Sequence, residues 1–231
     1  GKLEETATTG RIIDSGTSTV GGTGTFTAPQ AGADILLDEL NVTGSISLMT
    51  SGPAGDATIV NAIGVDLATS SVAGNLTATA TTGGMTDFGM TLVSGNASFI
   101  SLQIGQAIVL DQLGVDGSIS LQTAVDGDAT IVNKTAIDLA TSMVGGHLSA
   151  TATTGSITDS DAVTVAKNGR FETLVSNQTI TLDQLDVAGT IALFTLGTGG
   201  DATIVNTTQV DLAASDVGGN LDVTALALLP I

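Results

Sequence analysis

Hydrophobic and polar residues alternate one by one through short runs along most of the chain. Leu148, Ala150 and Ala152 fall on one side of such a run, and Ser149, Thr151 and Thr153 on the other. Ile119 and Leu121 stand in the same way against Ser118 and Ser120, and Ile137 and Leu139 against Asp138. A period of two is that of a strand with one face buried, because successive side chains point to opposite sides of a pleated backbone. Gly, Asn, Asp and Ser break the runs every few residues. No period of 3.6 is sustained over about a dozen residues, so the pattern predicts short strands and, at most, short helices.

The runs themselves repeat. GNLTATATTGGMTD from Gly74 returns as GHLSATATTGSITD from Gly146 and begins again as GNLDVTA at Gly219, at spacings of 72 and 73 residues. KLEETATTGRIID from Lys2 keeps the same register, which gives units at about 2–74, 75–146 and 147–219 and a partial one at 220–231. Three landmarks keep step: Phe26, Phe99 and Phe171; the aspartates of GDATIVN; and those of LDEL and LDQL. No shift of composition marks a linker, so the sequence reads as one continuous domain over 1–231. It opens and closes inside a unit, as a window on a longer array would. The third unit divides into three pieces, each with three β-prone runs, which predicts coils averaging 24 residues, three per repeat and nine to ten in all. Short strands, glycine corners and small aliphatic interiors describe an all-β fold, a parallel β-helix or β-solenoid. A β-sandwich usually buries Trp or Tyr, and both are absent here.

Composition narrows the functional classes. The chain carries 5 Lys+Arg against 23 Asp+Glu, a net charge of −18, yet 42% of its residues are hydrophobic, only 12% are charged, and mean hydropathy is +0.43. That balance supplies a core and excludes an acidic disordered tail. Without cysteine there is neither a disulfide framework nor a thiolate metal site. The charge opposes phosphate backbones and anionic lipid, so nucleic acid is not an expected partner. No apolar run reaches 18 residues, so no membrane insertion by a helix of this segment is expected.

The succession GNLTATATTGGMTD, SGNASFISL, AIVLDQLGVDGSISLQT and GDATIVNKTAIDLATSMVGG resembles the long repeats of filamentous-haemagglutinin-like bacterial surface proteins. The likeness runs from Lys2 to about Ala225. It implies a right-handed β-helix, an extracellular or cell-surface location, and a structural stalk or fibre segment of a large adhesin-like protein. The expected partners are flanking repeats or identical copies stacked end to end, and a cell-surface glycan or protein if the segment is itself adhesive. A homopolymeric filament and an adhesive module are the alternative functions, and a polysaccharide-degrading β-helix is the enzymatic one.

No catalytic or cofactor-binding residue emerges from the sequence. Asp56, Asp128 and Asp201 in the GDAT loops, with Asp126 beside the second, are weak calcium candidates, since hard cations choose carboxylates on tight turns. Asp in a Gly turn also serves as a corner acceptor, and with coils of 24 residues these positions lie about 14 Å apart. Asp38, Asp111 and Asp183 are expected outside, beside inward leucines; as paired carboxylates they would be the glycosidase-type candidates. Sugar cleavage would also call for aromatic platforms, and the chain has no Trp or Tyr. His147, the only imidazole, takes the place of Asn75 and Asn220 and reads as a corner substitution. Asn61, Asn133 and Asn206 are expected to turn inward or sit at corners and satisfy backbone groups. Thr77, Thr79, Thr81, Thr151 and Thr153 form TxT patterns that an ice-binding plane would need in every coil. Asn41, Asn75, Asn96, Asn133, Asn177 and Asn206 begin N-x-S/T tripeptides.

Overall fold

The computed structural model describes residues 1–226. Every described ladder is parallel, with thirteen strands in one sheet and fourteen in the other. Each turn of chain passes once through each sheet and returns one step higher. On the second sheet the register runs Ile12, Ile35, Ala57, Leu76, Ala97. On the first it runs Leu3, Gly24, Ile46. The fold is thus the expected β-solenoid, with about eleven turns of about 21 residues rather than nine to ten of 24. The step between paired residues varies from 19, Ala57 to Leu76, to 23, Ile12 to Ile35. Ten rises of about 4.8 Å make a rod roughly 50 Å long.

The difference in coil number has a structural cause. A repeat of 72 or 73 residues at about 21 residues per turn is three and a half turns, not three. Equivalent residues of successive units therefore lie on opposite sheets. Leu148 and Phe171 belong to the first sheet, whereas Leu76 and Phe99 belong to the second. Phe26 is again on the first and Leu221 on the second. Both sheets offer a strand the same surroundings, with one face on the core and one in solvent, so one motif serves either.

Strand lengths follow the repeat. The eight-residue strand Ile108–Val115 pairs with both Met85–Asp87 and Thr91–Val93 below it. Ile35–Val42 bridges Ile12–Ile13 and Ser18–Val20, and Ile180–Val187 bridges Ile157–Asp159 and Val163–Val165. The period-two residues pack into one continuous core of Val, Ile, Leu and Ala in which Phe26, Phe99 and Phe171 are the largest side chains. Its narrowness explains the absence of larger rings. Among the described residues no helix is long and apolar enough to cross a membrane.

Candidate functional site

No cleft gathers the candidate residues. They line the length of the rod, where they join one turn to the next.

The LDEL and LDQL strands carry a bulge. Leu37 pairs with Ile59 and Leu40 with Asn61, so one extra residue stands in the longer strand and the ladder is interrupted. A buried asparagine makes up the loss. Asn61 Oδ1 accepts the Val42 N–H at 2.8 Å, and its Nδ2 donates to the Val42 carbonyl at 2.9 Å. Asn133 serves Val115 at 2.8 and 2.9 Å, and Asn206 serves Val187 at 2.8 and 3.1 Å. The inward structural role expected from the sequence is thus the observed one. Because Asn133 and Asn206 are wholly buried, their tripeptides are out of reach of a glycan in the folded rod, whereas Asn75, Asn96 and Asn177 are exposed.

On the outer side of each bulge a carboxylate clamps two successive N–H groups. Asp87 accepts from Asp111 at 3.0 Å and Gln112 at 2.9 Å. Asp14 accepts from Asp38 and Glu39 at 3.1 and 2.9 Å, and Asp159 from Asp183 and Gln184 at 2.9 and 3.0 Å. Burial pushes the Asp87 and Asp159 carboxyls above the usual range, and the neighbouring charges of Asp111 and Asp183 add to it, against the backbone donors that pull them down. Sequence reasoning missed these three residues. Their signal was available: each precedes the LDEL or LDQL aspartate by 24 residues. Asp38, Asp111 and Asp183 are exposed, with Leu37, Leu110 and Leu182 buried beside them.

The calcium candidates stand at the corners. Asp56 Oδ1 accepts the N–H of Asn75 one turn on at 2.7 Å; Asn75 Oδ1 does the same for Asn96 at 2.9 Å, and Asn96 Oδ1 for Ser118 at 3.0 Å. Along the opposite edge Asp128 Oδ1 accepts from His147 at 2.7 Å, His147 Nδ1 from Asn168 at 3.2 Å, and Asn168 Oδ1 from Thr190 at 3.0 Å. Asp201 repeats the contact with Asn220 at 2.6 Å. His147 therefore works as one rung of a ladder, with Nδ1 as the acceptor. The glycine before each rung is required by space. A Cβ on Gly74, Gly146 or Gly219 would lie 2.2 Å from the Oδ1 of Asp56, Asp128 or Asp201. Asp56 and Asp201 share one edge seven turns apart, about 34 Å, and Asp128 is on the other edge, so the 14 Å spacing expected from 24-residue coils does not hold. Asp126, at φ 62°, forms an exposed ion pair with Lys167 at 2.9 Å. Among the described residues no three His, Asp or Glu side chains converge as a metal would require.

The TxT patterns are divided by the same half-turn. Thr77 and Thr79 are on the second sheet and Thr151 is on the first, so no single plane collects them. Inside the corners, Thr50 donates to the Gly55 carbonyl at 2.5 Å and accepts the Ala73 N–H at 2.9 Å. Thr123 makes the equivalent bonds to Gly127 and Gly145.

The recurrent unit matches a family described as repeats of unknown function, DUF5649, over residues 1–49, 54–124 and 126–194. The chain belongs to this family. Its three matched blocks follow the 72–73-residue register, so each family repeat spans about three and a half turns of the solenoid. No curated protein and no solved structure matches the chain.

Proposed function

We propose that this DUF5649 chain is a non-catalytic structural rod, a stalk or spacer within a large bacterial surface or extracellular protein of the adhesin type. The observation that carries the reading is the use made of its polar side chains. Buried amides, bulge carboxylates and corner rungs are each committed to backbone groups of a neighbouring turn, as the paired bonds of Asn133 and Val115 exemplify. Load along the axis is shared by parallel ladders and side-chain rungs, each turn stabilised mainly by its neighbours. The net charge of −18 favours separated, soluble rods. The likeness of the repeats to filamentous-haemagglutinin-like proteins supports the extracellular assignment.

The test is electron cryomicroscopy of native material together with the mass of its denatured parent chain. Extracellular rods each spanned by one long chain are the expected result. Long filaments assembled from short chains would replace the stalk with a homopolymer. An intracellular, compact particle would overturn the reading.

A further inference from the structure

The three units serve as controls for one another, since a position that differs from both counterparts is not demanded by the shared fold. Four such positions meet on the outer face of the first sheet. Arg170 stands where the other units carry Thr25 and Ser98, and Glu172 where they carry Thr27 and Ile100. Phe194 replaces Met49 and Gln122, and Asp216 replaces Ser71 and Met143. Glu172 pairs with Phe194 and Phe194 with Asp216 on successive turns, which sets an aromatic ring between two carboxylates.

One side of the ring is already used by a cation. The Arg170 guanidinium lies 4.5 Å from the Phe194 centroid, and its Nη1 is 2.8 Å from Glu172 Oε2. Asp216, on the other side, has no ion-pair partner among the described residues. A cavity of about 200 Å³ opens there, lined by Glu172, Leu174, Phe194, Leu196 and Asp216. A ring face attracts cations, a carboxylate pairs with them, and leucine walls suit the methylene stem of a long basic side chain.

We propose that this recess binds a lysine or arginine side chain presented by a basic partner polypeptide. Charge complementarity selects that occupant. The chain has −18 net charge, and of its five Lys and Arg residues Lys2, Lys167 and Arg170 are held in ion pairs. A second copy would bring almost no cation to the recess. The site would fasten the rod sideways to one partner at its third unit, independently of whether the rod is a stalk or a polymer.

The test uses the full 231-residue chain and NMR titration with acetyl-Gly-Lys-Gly-amide, its arginine counterpart and a norleucine control. Saturable shifts are expected at the Phe194 ring and the Leu174 and Leu196 methyls with the two basic peptides only. Phe194→Gln and Asp216→Ser install residues that sister units carry at the same place, so the fold is retained, as unchanged shifts elsewhere would verify. Each is expected to weaken binding about fivefold or more. The proposal is overturned if no shift saturates, if norleucine acts equally, or if both variants bind as the parent does, which would mark diffuse charge attraction.

Discussion

The carboxamide of Asn133 meets both backbone polar groups of Val115, accepting its N–H at 2.8 Å and donating to its carbonyl at 2.9 Å, one turn away inside the rod. The side chain acts as an inserted peptide unit where the bulge interrupts the ladder. Asn133→Ala leaves both groups buried without partners, at about 1–3 kcal/mol each. A loss of about 2–5 kcal/mol is expected, with hydrogen exchange at Val115 accelerating before that of distant turns. Unchanged exchange there would show that the amide is dispensable.

Thr91 offers the opposite case. It is wholly buried and its hydroxyl has no hydrogen-bond partner, while Val163 fills the equivalent position of the next unit. Thr91→Val keeps the shape and removes the unpaired hydroxyl, so it should stabilise the chain by about 1 kcal/mol or more. Thr50→Val, which strips two bonds, should destabilise it. Urea midpoints for the two variants shifting in the same direction would contradict this account.

The carboxyls of Asp87 and Asp159 are raised above 3.8, burial being the first cause. The folded chain then binds these protons more readily than the unfolded one. Their contribution to stability is fully present below the unfolded value of 3.8 and is lost as pH rises through the raised folded values. Unfolding midpoints should therefore improve as pH falls from 7 to about 4, and less so in the double variant Asp87→Asn, Asp159→Asn. An equal pH slope in parent and variant would assign the whole effect to general charge repulsion.

The Gly146 rung is a steric prediction. Gly146→Ala places a Cβ against Asp128 Oδ1 and displaces the bond to His147. A loss of about 2 kcal/mol or more is expected. By contrast Ala54, at φ 65°, carries a side chain in the left-handed region, and Ala54→Gly should be neutral or stabilising by up to about 1 kcal/mol. Thermal unfolding of the two variants measures both.

The class of fold was legible because period-two alternation, glycine corners and small aliphatics act locally, and each reports on a single strand. The number of coils was not, because a sequence repeat was taken to hold a whole number of turns. Nothing local in the Leu76 and Leu148 runs reveals that they occupy opposite sheets, since both place the same residues inward. The roles of Asn61, Asn133 and Asn206 could be inferred from a polar residue closing an apolar run. Asp14, Asp87 and Asp159 escaped because their partners, the N–H groups of Asp38 to Gln184, lie a full turn away and carry no side-chain signature.

Three and a half turns per unit make repeat number a matter of parity. A chain lengthened by one unit is not merely longer, since whatever follows the insertion emerges on the reverse side of the rod. Two units restore the original aspect, so length and facing direction change together in steps of one unit and separate only in steps of two. Deletion of residues 75–146 should accordingly give a shorter rod in which the Phe194 recess looks out from the side opposite its present one relative to Leu3. Genetic gain or loss of one repeat thus swaps which side of the molecule meets its surroundings, without altering a single residue there.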